Sequence, residues 1–472
     1  MSRINTNVAS LNAQHTLIGN NMDLQTRLQR LSTGLRINSG KDDPAGLIAS
    51  ESLRSEIRGI EKGISNSARA SSVIATAEGA LNEISSLLID IKGLLVESAN
   101  KGALSDEEID ANQLQVDSAI NSIERIVNSA QFNGEKLLNG NLGYVTSGVV
   151  ATRVSEATIN SAKLIDGAAM TVDIETTTLA ETGRVQLSLD GNLATAYSLE
   201  IGSGRGTTEI TFAALATSGT MVSGINAIKE ITGISAFASG GSLFLDSVDY
   251  GVDAFVSVTE LTTGNGQAGI SGSSKDFGVD VAGIINGAAA TGTGKVLNVR
   301  TAMIDATFDL AVSQAALELT STSFTITGGG SDFAIGPQVD AIGLQPIGIS
   351  SLAPSQLGNA TDGFINTLKS GGAQAMKGSN LVTAQRIVDS ATKDISTLRG
   401  RLGAFQKNTL ETNINSLQIT LENVTAAESA IRDADFASET AALTRSQILV
   451  QANTSILSLA NSSPQSVLAL LG

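Results

Sequence analysis

Apolar residues recur in steps of three and four over long stretches at both ends of the chain. Ile74, Ala77, Leu81, Ile84, Leu88, Ile91 and Leu95 follow this spacing without a miss, and Leu53, Ile57, Ile60 and Ile64 follow it upstream. Such spacing places one narrow seam along a helix. A further helix carries Val116, Ile120, Ile123 and Val127, and its start is marked by Ser105 and Glu108. That pair has the spacing of a capping box, in which the hydroxyl takes a free amide of the first turn and the carboxylate reaches back. The acidic run Asp106, Glu107 and Glu108 reads as a helix start favoured by the helix dipole. Near the other end, Ile395, Leu398, Leu402 and Phe405 precede Leu410, Ile414, Leu417, Leu421, Val424, Glu428 and Ile431, and Glu428 breaks the second series.

The extreme ends carry shorter stripes. Leu24, Leu28, Leu31 and Leu35 form one, and Leu449, Ala452, Ile456 and Leu459 form another, with Pro464 predicted to end the last helix. Asn38 to Pro44 reads as a connector, with Asp43 as helix cap and Pro44 in the first helical position. A narrow seam needs a partner, because an apolar side chain contributes its roughly 1.5–3 kcal/mol only when another helix covers it. The economical arrangement packs the two ends together and inserts the middle as an excursion. The terminal stripes lack a neighbour within one chain large enough to bury them, so they are expected to order when copies associate.

The middle follows another period. Arg184 to Asp190, Ser242 to Asp246, Ala254 to Thr259 and Ser323 to Thr327 read as short strands bounded by turns, and Val222 to Lys229 as a helical patch. Glycine marks the same division: residues 141–377 hold 33 of the 48 glycines, against 11 in residues 1–140 and 4 in residues 378–472. The expected fold class is α+β, a long coiled-coil-like helical core from both ends with one or two β-rich domains between.

Composition then removes chemistries. With no Cys and a single His, disulfides, thiolate nucleophiles, Cys-built zinc sites and multi-histidine metal sites are excluded. A net charge of −16 opposes binding to a phosphate backbone, so nucleic acid is not an expected partner. No apolar run approaches the ~20 residues of a membrane-spanning helix, so no membrane insertion is expected. Met1 to Asn12 lacks the basic start and apolar run of a secretory signal, which by itself would place the chain in the cytoplasm. His15 has no adjacent nucleophile or carboxylate. Gly202 to Gly206 and Gly292 to Lys295 lack the spacing of phosphate-binding loops and read as turns. Asp246, Asp249 and Asp253 read as a polar turn rather than a calcium loop, and Asp433, Asp435 and Glu439 as solvated caps. The expectation is a protein without catalytic residues, cofactor or metal.

Several strings resemble one family. Arg3 to Asn7 (RINTN), Leu28 to Ser39 (LQRLSTGLRINS), Lys41 to Asp43 (KDD), Glu78 to Ile84 (EGALNEI) and Gln131 to Gly134 (QFNG) are similar to bacterial flagellin. So are Ile431 to Ala437 (IRDADFA), Ser446 to Leu449 (SQIL) and Pro464 to Leu468 (PQSVL). The resemblance covers about the first 140 and the last 95 residues, in the expected order. It implies a self-assembling subunit of the flagellar filament that serves swimming motility. Residues 1–43 and 435–472 would form the inner tube, 44–145 and 378–434 a helical rod, and 146–377 a variable, outward β-rich part. Leu24, Leu28, Leu31, Leu35, Leu449, Ala452, Ile456 and Leu459 would then be assembly residues. Ile74, Leu81, Ile84, Leu88, Ile91, Leu95, Leu410, Ile414, Leu417, Leu421 and Val424 would be the rod core. The implied partners are many copies of the same chain, the cap and hook-junction proteins and an export chaperone. The implied location is extracellular, reached unfolded through the flagellar type III route without a cleaved signal. Asp90 and Gln115 replace an Arg and a Glu of receptor-stimulating members, which argues against recognition by the innate flagellin receptor although Leu94 is retained. The alternatives are a hook–filament junction protein, which shares the N-terminal pattern, and a surface-displayed adhesin-like module in residues 141–377.

Overall fold

A computed structural model describes residues 6–164, 167–189, 191, 193–262, 268–311, 321–340, 343–377 and 381–468. Its helices are α1 (Val8–Thr33), α2 (Pro44–Ser98), α3 (Asp106–Ser129), α4 (Ser218–Ala227), α5 (Lys229–Thr232), α6 (Leu381–Phe405), α7 (Thr412–Arg432) and α8 (Phe436–Leu468). The chain divides into two compact units. One comprises Met1–Asn66, Ile335–Val339 and Thr412–Gly472, the other Ser67–Ala334 and Asp340–Glu411. The division runs through α2 and between α6 and α7.

In the first unit α1 ends where the sequence stripe does not. Gly34 takes a left-handed backbone (φ 74°) and donates its amide to the Arg30 carbonyl at 2.8 Å. This terminates the helix. Leu35 consequently lies in the connector, bridged to Asp433, and is no part of a helical stripe. The connector is held by Asp42, whose carboxylate accepts the Ser39 hydroxyl at 2.9 Å and the amides of Ser39 and Asn38. These bonds, the Ser39 hydroxyl foremost, lower the Asp42 pKa. Asp43 then caps α2 by accepting the Gly46 amide at 2.9 Å. Within α2, Gly59 and Gly63 let a loop lie on the helix. A Cβ on Gly63 would stand 3.0 Å from the Ile335 carbonyl oxygen and 3.1 Å from Leu417 Cδ1, and one on Gly59 would meet the Pro337 carbonyl.

The thinness of that cover shows on α7. Leu417 is buried, but Ile414, Leu421 and Val424, expected in a closed core, are only half-buried. Their neighbours within this unit leave one side open to water.

In the second unit the seam of α2 is closed: Ile74, Ala77, Leu81, Ile84, Leu88, Ile91 and Leu95 are each exposed by 2% or less. Lys92 reaches Asp389 of α6 at 2.6 Å, and Gln113 of α3 donates to the Leu368 carbonyl at 2.8 Å. Ile395, Leu398 and Leu402 of α6 are buried, while Phe405 is half-buried beside Phe333. The step of five from Phe405 to Leu410 is taken up by a π-helical turn, Gln406–Glu411, which adds a residue to the turn and keeps Leu410 buried. The capping box of α3 is formed, with Glu108 N donating to Ser105 Oγ and Ser105 N to Glu108 Oε2 at 2.7 Å. Ser105→Ala is expected to destabilise the second unit by about 1 kcal/mol in denaturant unfolding. No change would mean that the box adds nothing.

The middle of the chain holds two cores. An eight-stranded antiparallel sheet has the order Tyr144–Ser147, Ser321–Gly329, Met170–Thr178, Ala282–Ile285, Ala288–Thr293, Val296–Arg300, Ile304–Leu310, Val154–Ala162. Its core includes Val172, Ile174, Leu297, Phe308 and Phe324. Inserted between Met170–Thr178 and Ala282–Ile285 are two four-stranded sheets with α4 and α5, around Leu187, Tyr197, Leu199, Ile225, Leu243 and Val258. The expected strands and helical patch appear as Arg184–Leu189, Ser242–Ser247, Phe255–Glu260, Ser321–Gly329 and α4; Asp190 lies outside the described residues.

The phosphate-loop lookalikes are hairpin turns, closed by the pairs Ser203 with Gly206 and Thr293 with Val296. Gly292 abuts the Val281 carbonyl too closely for any Cβ. Asp246 and Asp249 pair with Arg184 at 2.6 Å and Arg205 at 2.7 Å. Among the described residues no group of acids and histidine is arranged to hold a metal, and no helix is long and apolar enough to cross a membrane.

Candidate assembly interface

Leucines at intervals of seven, Leu17, Leu24 and Leu31 on α1, recur as Leu443, Val450 and Leu457 on α8. They belong to the facing seams of an antiparallel helix pair. On α1 the seam is Ser10, Ala13, Leu17, Asn20, Leu24, Arg27 and Leu31, and on α8 Glu439, Leu443, Ser446, Val450, Asn453, Leu457 and Ala460; all are buried or half-buried. Half of these positions are small or polar, so apolar burial in the pair is modest and polar contacts supply its alignment.

Arg27 donates to Glu439 at 2.9 Å and Arg30 to the same carboxylate at 3.2 Å, while Ser446 Oγ donates to Asp23 Oδ2 at 2.6 Å. The hydrogen bond to Glu439 raises the Arg27 pKa further, so the pair stays charged. Glu439, expected as a solvated cap, is thus buried and paired with two arginines. Asp435 does cap α8, accepting the amides of Ala437 and Ser438, and Asp433 accepts the Ser429 hydroxyl.

Pro464 does not end α8, which continues to Leu468. A proline inside a helix leaves the carbonyl four residues earlier without its donor. That carbonyl belongs to Ala460, and Asn7 Nδ2 donates to it at 2.7 Å.

The stripe Leu449, Ala452, Ile456 and Leu459 is displaced by one residue, about 100° around α8, from the seam, with its large members exposed from 43% (Leu449) to 71% (Leu459). Ile448 and Phe436 are also exposed. On α1 the outward apolar residues are Val8, Leu11, Ile18, Met22 and Leu28. Of the stripe expected on α1, Leu28 faces water, whereas Leu24 and Leu31 turn toward α8. His15 is exposed. Both helices thus leave several large apolar side chains exposed on their outer sides, a feature that contact surfaces share.

Comparison with known proteins agrees. Residues 4–142 match the family model described as the bacterial flagellin N-terminal helical region, and residues 385–471 match the flagellin C-terminal helical region. B-type flagellin of Pseudomonas aeruginosa is 32% identical over 524 aligned positions, covering 99% of both chains. The chain belongs to the bacterial flagellin family. Flagellin D of Vibrio anguillarum (31%) and flagellin of Salmonella typhimurium (30%) also align over 99% of each chain. This flagellin is a structural subunit of the flagellar filament, an extracellular assembly.

The leucines and valine at intervals of seven could have revealed the inner seam from sequence. Nothing short of the fold could have joined Asn7 to Ala460.

Proposed function

We propose that copies of this flagellin join through the outward apolar sides of α1 and α8, so that residues 1–43 and 435–472 line the inner tube of the filament. The observation that carries this reading is the exposure of Leu449, Ile456 and Leu459 on α8 and of Leu11, Ile18 and Met22 on α1, while the seams of both helices are engaged with each other. Residues 44–145 and 378–434 supply the rod; in the second unit the seam from Ile74 to Leu95 and Leu410 are closed to water, and in the first unit Leu417 is buried. Residues 146–377 face outward. The protein has no catalytic role and takes no cofactor. Cap, hook-junction and export-chaperone proteins are its partners, and absence of cysteine suits passage through the export channel in an unfolded state. Asp90 and Gln115 are both exposed, which supports weak recognition by the innate flagellin receptor.

Purified full-length protein raised in salt is expected to form long tubular filaments visible by electron microscopy; amorphous aggregate or persistent monomer would refute the reading. Assembly is expected to quicken with salt. Repeated surfaces carrying a net charge of −16 per copy repel, and salt screens that repulsion beyond ~8–10 Å. Equal polymerisation rates at low and high salt would remove the electrostatic contribution.

A further inference from the structure

We infer that Asn7 is a positioning residue for assembly, which sets the register of α1 against α8 through the carbonyl that Pro464 leaves without a helical donor. One amide side chain performs two tasks. Its Oδ1 accepts the Ser10 amide at 3.0 Å and so caps α1, and its Nδ2 donates to the Ala460 carbonyl at 2.7 Å. The adjacent Ser10 hydroxyl meets Asn461 Oδ1 at 2.7 Å.

The clasp aligns the end of the pair remote from the contacts of Arg27 and Arg30 with Glu439. The seams are rich in Ser, Ala and Asn, and both helices are also apolar on their outer sides, so a shift along the seam would lose little apolar burial. A carbonyl left free inside a helix, by contrast, is a single marked position. The other carbonyls in the middle of α8 already have a helical donor, so the Ala460 carbonyl is the one that gains most from an amide arriving from α1. Pro464 thereby creates an address and Asn7 reads it. In that register the outward residues of α1 and α8 face a neighbouring copy together, and here the inference rests on the assembly reading above.

The test exploits the absence of native cysteine. Ser10→Cys and Asn461→Cys are introduced into the full chain, and the yield of intramolecular cross-link with a short bis-thiol reagent reports register without requiring filaments. Against this background Asn7→Asp keeps the capping oxygen but removes the donor; Asn7→Ser does the same without adding charge. Each is expected to lower the cross-linking rate by about fivefold, the size expected for one neutral hydrogen bond. Pro464→Ala returns an amide to position 464, which satisfies the Ala460 carbonyl and removes the address. Adding Pro464→Ala is expected to abolish the difference between Asn7 and its variants, and in the cysteine-free protein to bring the critical concentrations for polymerisation within twofold of each other. Unchanged cross-linking in Asn7→Asp and Asn7→Ser, or a defect that persists at full size in the Pro464→Ala background, would overturn the inference. Normal cross-linking in a parent chain that never forms filaments would instead overturn the assembly reading alone.

Discussion

Ile456→Asp combined with Leu459→Asp is expected to abolish filament formation while leaving the unfolding of the separate chain unchanged. Both side chains stand on the outer side of α8, 53% and 71% exposed, so in one copy the new carboxylates remain in water. Surface substitutions of that kind normally alter stability by no more than about 0.5 kcal/mol. On the assembly proposed above, the same positions are covered by a neighbouring copy in the filament. An unpaired carboxylate taken out of water there costs several kcal/mol, of order 10²-fold or more in the critical concentration. Every copy repeats the penalty, and the added negative charge enlarges the repulsion already present. Sedimentation across a concentration series measures the effect directly. Filaments formed at the ordinary critical concentration would show that this side of α8 is not an interface.

Leu88→Ala is expected to lower the stability of the second unit by roughly 2–5 kcal/mol, the range for truncating a fully buried leucine in a packed core. Leu88 is 0% exposed, midway along a seam whose members are all closed to water, so neighbouring side chains have little freedom to collapse into the space. Val424→Ala provides the internal comparison. Its side chain is half-buried on α7, and truncation there is expected to cost less than about 1 kcal/mol. Denaturant unfolding of the two variants separates the closed seam from the open one. Equal losses would mean that α7 is as fully covered as α2.

The seam of α2 was legible because seven apolar residues repeat without a competing stripe on the same helix. The step of five between Phe405 and Leu410 breaks the three-and-four spacing, and only the structure showed its meaning, a π-helical turn that keeps Leu410 buried. The capping box at Ser105 and Glu108 was readable because its two bonds join residues three apart. In the middle, alternation located individual strands but not their partners. Met170–Thr178 pairs with Ser321–Gly329 and with Ala282–Ile285, and a second core is threaded between the latter and itself. Pairings of such sequence separation leave no local signature.

At the chain ends, spacing alone was ambiguous. Leu449 and Val450 are neighbours, and each begins an acceptable three-and-four series; one series faces α1 and the other faces away. Likewise Pro464 carries a local message, helix end, that a distant residue overrides by supplying the missing donor. Sequence by itself determined the helical ends, the β-rich middle, the absence of cysteine chemistry and the family. Tertiary structure decided which apolar stripe faces α1 and which is left exposed, how the middle divides into two cores, and that the last helix runs on past Pro464. The physical reason is common to all three: each depends on a partner contributed from a remote part of the chain, and the energy of a seam, a strand edge or a free carbonyl is set by what covers it.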